Sequence, residues 1–359
     1  MNPELAHIAR YRLQNQQIMH PSVSTIGGMA AWMGATQAQD YTHAKWAFGL
    51  RIPGITDADV EAAIDRAEII RTHLLRPTWH FVAAEDLRWM LELSAPQLRA
   101  LIAPTNRVLG LDETVFEQSK KILEKALQGG RHLTRDELMA ELNNAGMATS
   151  DLRSTHIMMR AEVDGLVCNG SRRGKQFTYA LIDERVPKGK SMDRPDAIAE
   201  LARRYFRSHG PATLHDFQWW SGLKMGDARA GLEAAQPELT SETIGKLTYW
   251  LPNDLREQPM EKPVVHLLPA FDEFLVSYKD RAASLDPSKK IQTITGNGIF
   301  KPVVLQNAWV HGIWQRTFLK DRISLQYAWF DEYGVADAVG LQLATHRLAA
   351  FYGKQIEKS

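Results

Sequence analysis

Gly34-Ala35-Thr36-Gln37-Ala38-Gln39-Asp40-Tyr41 is the segment around which the rest of the chain is organised. It carries two glutamines at i and i+2 with an aspartate next, where apolar periodicity gives way to a polar cluster. In a strand or extended turn the two amides share a face; on a helix they diverge by about 200°. Two amides on one face offer donors and acceptors enough to hold a water or a small polar ligand. The same residues also read as an exposed polar turn.

Upstream, Leu5, Ile8, Ala9, Leu13 and Ile18 form an apolar stripe that predicts a helix over 3–18, stopped by His20-Pro21. A second helix over Thr25–Met33 leads into the glutamines. Downstream, Pro53-Gly54 turns the chain, and Thr56 caps a helix expected to run to Ile70, with Asp57, Asp59 and Glu61 near its start. Pro77 opposes further helix, Thr78–Val82 reads as a strand, and another helix is expected over 85–93. Helices followed by a short strand pair give the order of a winged helix.

The pattern recurs more clearly beyond residue 126. Leu133 to Leu138 is a cap with an acidic first turn, followed by a helix to Asn143 and a turn at Asn144-Ala145-Gly146. Ser150 caps the next helix, which carries Arg153, Ser154, His156 and Arg160. Strands at Leu166–Gly170 and Gln176–Leu181 then flank the basic tip Ser171-Arg172-Arg173-Gly174-Lys175. In a DNA reader the helix would enter the groove, and Arg172, Arg173 and Lys175 would meet phosphates. A winged helix that binds only protein, with a solvated tip, fits the same residues.

Val186 to Ser191 is a basic, Gly/Pro-rich linker. A third set of helices follows over 198–208, from Thr213 to Gly222 and over 224–235, with a strand at 247–251. Trp219-Trp220 reads as core rather than as a stacking platform. The C-terminal part changes texture. Strands are expected at 264–269, 302–305, 309–314 and 324–330, with Gln306-Asn307 as a two-residue hairpin turn and a closing helix over 334–352. No repeat of fixed period is present.

Composition bounds the class. At 359 residues, 44% hydrophobic and 24% charged, the chain is an ordinary globular protein of more than one core. A net charge of +1 gives no global attraction to polyanions, so nucleic-acid binding must rest on local clusters. The single cysteine, Cys168, excludes an internal disulfide, fits a reducing cytoplasm and reads as a buried filler. No run of about 18 apolar residues is present, so no membrane span is expected. No heptad seam marks a dimer, and a monomer is expected.

Four pieces then match one family in order: Gly34–Arg51 (GATQAQDYTHAKWAFGLR), Arg76–Trp89 (RPTWHFVAAEDLRW), Gly210–Leu223 (GPATLHDFQWWSGL) and Leu267–Arg281 (LLPAFDEFLVSYKDR). With these the chain resembles the AlkZ/YcaQ-type winged-helix DNA glycosylases over most of its length. Gln37-Ala38-Gln39 matches the Gln-x-Gln catalytic motif of the AlkZ branch; the YcaQ branch has Gln-x-Asp. Where the family often has Arg-Gly-Thr-Leu-His, this chain has Pro77 and Trp79.

The resemblance implies an α+β fold of tandem winged-helix domains in a C-shaped arrangement with a β-rich C-terminal portion. The regions expected are 1–125 with the catalytic motif, 126–190 with the basic wing, 191–255 as a third winged helix, and 256–359. It implies monofunctional excision of cationic N-alkylated purines from double-stranded DNA in the cytoplasm, at the nucleoid. Unhooking of interstrand crosslinks and resistance to alkylating natural products go with it, and no metal or organic cofactor is implied. Gln37 and Gln39 are the catalytic residues on this basis, with Asp40 and His80 as neighbours. Arg153, Arg160, Arg172, Arg173, Lys175, Lys279 and Arg281 are the candidate DNA contacts; ion pairing with Asp272 or Asp280 is the alternative for the last two. A non-catalytic DNA-binding regulator or drug-sequestering protein is the alternative function, and it has no need of the glutamine pair.

Overall fold

A computed structural model describes residues 3–189, 191–258, 264–331 and 337–357. After α1 (Ala6–Asn15), the first unit runs α2 (Ile26–Met33), β1 (Thr36–Gln37), α3 (Tyr41–Arg51), α4 (Asp57–Asp65), β2 (Ile69–Leu74) and β3 (Thr78–Ala83), with sheet order β1-β3-β2. This is the helix, strand, helix, helix, hairpin order of a winged helix. The helix capped by Thr56 stops at Asp65, five residues before the expected end. Ala67 takes a positive φ of 55°, and the β-branched Ile69 and Ile70 pair with β3 instead.

Helix α5 (Leu87–Val108) is far longer than the one expected over 85–93, and it contains Pro96 and Pro104. A proline removes one backbone bond, but Leu91, Leu98 and Ile102 are buried along the helix and hold it. The second unit follows as α6 (Glu113–Leu127), β4 (Leu133–Thr134), α7 (Arg135–Asn144), α8 (Arg153–Val163), β5 (Val167–Asn169), β6 (Thr178–Leu181) and the short α9 (Ile182–Arg185). Its sheet order, β4-β6-β5, repeats that of the first. Phe116 and Leu123 of α6 pack with Leu138, Ile157 and Leu181, so α6 joins this unit ahead of the boundary expected at 126. Lys190, in the expected linker, lies outside the described residues.

The third unit is α10 (Arg194–His209), α11 (Leu214–Ser221), α12 (Met225–Ala235), β7 (Leu239–Ile244) and β8 (Leu247–Pro252), with Ala212 bridging to Trp250 as a one-residue first strand. Strand β7 had no clear sequence signal, because four of its six residues are exposed and polar or charged. The C-terminal region contributes β9 (Val265–Leu268), α13 (Glu273–Val276), α14 (Lys290–Thr293), β10 (Val303–Gln306), β11 (Trp309–Phe318), β12 (Arg322–Trp329), α15 (Ala338–Phe351) and β13 (Gln355–Ile356). They form one sheet in the order β13-β12-β11-β10-β9, with α15 against β9. The β10–β11 turn is Asn307-Ala308, one residue later than expected; both residues have positive φ, as a type I′ turn requires. Residues 334–336 of the expected closing helix lie outside the described residues.

The first unit does not have a core of its own. Ile8, Met29, Phe48 and Phe81 pack with Leu267, Val304 and Trp314 of the C-terminal sheet. The β2–β3 hairpin is buried on both faces: Ile69, Phe81 and Ala83 enter that core, while Ile70, Leu74 and Val82 enter the core of α5 and α10–α12. Deep in the first contact, Arg51 makes two 2.9 Å bonds to the Asp272 carboxylate, and a third, also 2.9 Å, to Gln16 Oε1. Arg51→Ala would strand a buried carboxylate and is expected to lower stability by about 3–5 kcal/mol. Urea unfolding checks this, and a loss under about 1 kcal/mol would contradict it.

Candidate active site

Gly34, at φ 74°, ends α2 and turns the chain into β1, with Trp220 packed 3.4 Å from the position a Cβ would take. β1 lies antiparallel to β3, so Gln37 sits directly opposite His80, and His80 opposite Thr72 of β2. Cross-strand partners share a face, so the three side chains form one row. That row lies on the same face as Ile70 and Val82, which enter the core shared with α10–α12.

Gln37 is held at both ends. Its backbone N–H donates to Glu273 Oε1 at 2.6 Å, and its side-chain Oε1 accepts from Arg76 Nη2 at 3.0 Å. It is 7% exposed, whereas Gln39 is at the surface. Gln39 Oε1 accepts from the Trp79 N–H at 3.3 Å, and the Arg71 guanidinium donates to the intervening Ala38 carbonyl at 3.0 and 3.1 Å. Each amide oxygen thus has a donor that orients it and a second lone pair left over.

Glu273 is buried with its donors around it: the Gln37 N–H, Trp220 Nε1 at 3.2 Å and the Ser277 hydroxyl. Burial pushes its pKa up, but His209 beside it, Ser277 and the Gln37 N–H outweigh this and bring it to about 2. The group is therefore a fixed negative charge beneath the motif. His80 is its opposite. Burial, with Arg76 second, brings the imidazole down to about 3, so it is neutral. Nδ1–H donates to the Thr78 carbonyl at 2.9 Å, which leaves Nε2 an acceptor with no protein partner among the described residues. Thr72 Oγ1, beside it in the row, also lacks one. Unpaired buried polar atoms in a row with a glutamine mark this face as more than packing.

The other expected residues fall elsewhere. Asp40, next to Gln39, is the N-cap of α3, accepting from the His43 N–H at 3.0 Å, and so holds the exit of the motif. Arg160 is buried, with two bonds to Glu113 and one to Asp164, and Arg153 donates to the carbonyls of Ala148, Leu109 and Gly110. Both brace α8 within the unit, and Arg160 has no surface to offer DNA. Arg172 pairs with Glu61 of α4, and Arg173 with Glu137. The wing is thus docked on the first unit, beside the motif, with only Lys175 of its three cations free of an ion pair among the described residues. Lys279 is exposed, while Arg281 packs over Phe300 and donates to the Leu275 and Lys279 carbonyls. Neither pairs with Asp272, which Arg51 takes.

Arg76, Glu273 and Arg71 are the residues that sequence reasoning missed. Arg76 and Glu273 lie inside the matched pieces 76–89 and 267–281, which was the available signal. Of the tryptophan pair, Trp220 is core, but Trp219 is 38% exposed, with Arg76 and Arg281 each within 6 Å of its ring. Cys168 is buried, and burial pushes its thiol up to about 12, so it is inert. Among the described residues no three His, Cys, Asp or Glu side chains gather as metal ligands would.

Three winged-helix-like units in series carry the Gln-x-Gln stretch where the first meets the third, with Gln37 buried and Gln39 at the surface. Residues 30–351 match the model of the AlkZ-like DNA glycosylases, and the chain belongs to that family. It is a DNA glycosylase. The DNA glycosylase AlkZ of Streptomyces sahachiroi has a similar fold, with a TM-score of 0.81 over 98% of each chain at 18% sequence identity. Comparison with curated protein sequences finds no match.

Two buried histidines and a half-buried one make the fold acid-sensitive. His43, His80 and His266 are each brought from 6.5 down to about 3, chiefly by burial. The folded state excludes protons that the unfolded state binds below 6.5. Their contribution is therefore complete above pH 6.5 and is lost as pH falls towards 3, at up to about 1.4 kcal/mol per pH unit for each. Calorimetry should show the melting temperature falling between pH 6.5 and 5; a constant value would contradict neutral burial.

Proposed function

We propose that this glycosylase removes cationic N-alkylated purines, of the N7-alkylguanine type, from double-stranded DNA, with Gln37 and Gln39 as its catalytic residues. The observation that carries this reading is the two-ended grip on Gln37, which orients an amide but supplies no general acid. A cationic base needs none, because it departs neutral. The remaining tasks are to place a water at C1′ and to stabilise an oxocarbenium-like sugar. The spare lone pairs of the two amide oxygens accept from the water and turn partial negative charge towards the sugar. The buried Glu273 charge adds to that field. Neutral His80 is an acceptor in the same row and cannot protonate a leaving group. Unactivated bases are refused for want of an acid.

An exposed Gln39 also suits a lesion still tied to the opposite strand, which cannot swing into a closed pocket. Crosslink unhooking, and with it resistance to DNA-alkylating natural products, follows from that reading. No helix among the described residues is long and apolar enough to cross a membrane, and we place the work of a monomer on cytoplasmic, nucleoid DNA.

Gln37→Ala and Gln39→Ala are each expected to slow single-turnover release of N7-methylguanine by about 10²–10³, or roughly 2–4 kcal/mol of barrier. Their combined effect should be less than additive if both act on one water. Melting temperature and affinity for an abasic-site duplex should hold. Normal release by the double variant would defeat the assignment.

The products should be an intact abasic strand and a free base, with cleavage only after alkali. A lyase needs an amine that forms a Schiff base. Lys45, the first lysine after the motif, is buried and bound to Asp57 and Glu61. A borohydride-trapped protein–DNA adduct would overturn this.

A further inference from the structure

Beside Gln39 lies a cleft of about 340 Å³ between the first unit and the wing of the second. Trp79 and Arg71 form one wall, and they are the two residues that bond Gln39 Oε1 and the Ala38 carbonyl. The wing contributes Lys175 and Phe177, and the start of α7 contributes Arg135 and Asp136. Pockets for organic ligands start at roughly 300 Å³, so there is room here for one nucleotide and not for a base pair.

The charges in this cleft are unbalanced. Arg71, Arg135 and Lys175 form no ion pair among the described residues, whereas Arg172 and Arg173 nearby are each neutralised by a carboxylate. The hydrogen bonds of Arg71 go to the Ala38 carbonyl and those of Arg135 to the hydroxyls of Ser154 and Thr155 rather than to carboxylates. Asp136 is the one acid in the lining. Phe177 stands 42% exposed at the lip, edge-on to Tyr41 at 4.8 Å, with the Arg71 and Arg172 guanidiniums each 5.3 Å from its ring. An exposed ring beside a guanidinium that has no ion pair is the kind of arrangement that holds unstacked nucleotides.

We propose that this cleft binds a nucleotide adjoining the lesion, with its neutral base against Phe177 and its phosphate at Lys175. The alkylated base itself is a cation, and a lining of three cations to one acid disfavours it. The cleft therefore selects the neighbour and holds the damaged nucleotide over Gln37 and Gln39. The proposal rests on the glutamine motif being the site of base excision.

The test uses the full chain and duplexes carrying a tetrahydrofuran abasic analogue, with 2-aminopurine placed on either side of it in turn. On binding, 2-aminopurine on one side should brighten severalfold as it leaves the stack. Phe177→Ala should abolish that rise and weaken binding roughly tenfold or more. Lys175→Gln should weaken binding and flatten the salt dependence by about 0.9 in log–log slope. Both side chains are exposed, and melting curves confirm that the variants fold. No brightening on either side, or the same brightening in Phe177→Ala, overturns the proposal. Release of N7-methylguanine is assayed separately. Brightening without release leaves the cleft standing and removes the excision reading, and release without brightening does the reverse.

Discussion

The bond from the Gln37 N–H to the Glu273 carboxylate is the contact on which the site depends. It joins residues 236 positions apart and holds the edge strand of the first sheet from the C-terminal region. An ionised carboxylate in an apolar interior is costly unless donors surround it, and here backbone, indole and hydroxyl donors do so. The preceding residue, Asp272, closes on Arg51 at the end of α3, the helix that follows the motif. Two adjacent acids thus fix the strand that carries Gln37 and the helix beyond Gln39. The start of α13 in the C-terminal region is therefore part of the scaffold around the motif.

The small sheet of the first unit sorts the chemistry by face. Its Gln37–His80–Thr72 row lies on the side buried with the third unit, while Trp79 and Arg71 line the cleft beside the second. One strand of alternating side chains can serve both, because successive residues point to opposite faces. The wing, docked through the Arg172–Glu61 pair, forms a wall of that cleft.

Arginine placement shows how little of a DNA-binding surface can be read from charge alone. Arg153 and Arg160 stand at helix positions that suggest a reading head, yet carbonyls and carboxylates of the same unit occupy them. Arg71, which no motif singled out for function, keeps its charge beside the site. Carboxylates take Arg160 and three backbone carbonyls take Arg153 inside its own unit, whereas Arg71 is packed into the cleft wall, and which of these occurs is a matter of packing.

Much of the local structure was determined by the sequence itself. The caps at Thr56, Thr134 and Thr213, the stop at Gly222 and the hairpin strands around the wing form where short-range hydrogen bonding and φ preferences dictate. The Gln-x-Gln motif and His80 as its neighbour were legible through four short matches in order, while the strand pairing that sets Gln37 opposite His80 was not. Tertiary structure alone decided the rest. It kept α5 helical through two prolines, ended α4 at Asp65 so that Ile69 and Ile70 became strand, and paired β7, whose exposed residues carry no apolar signal. It also brought Arg76 and Glu273 to the two ends of Gln37. Local sequence encodes backbone preference over a few residues, whereas burial, charge compensation and cross-strand register depend on groups hundreds of residues apart.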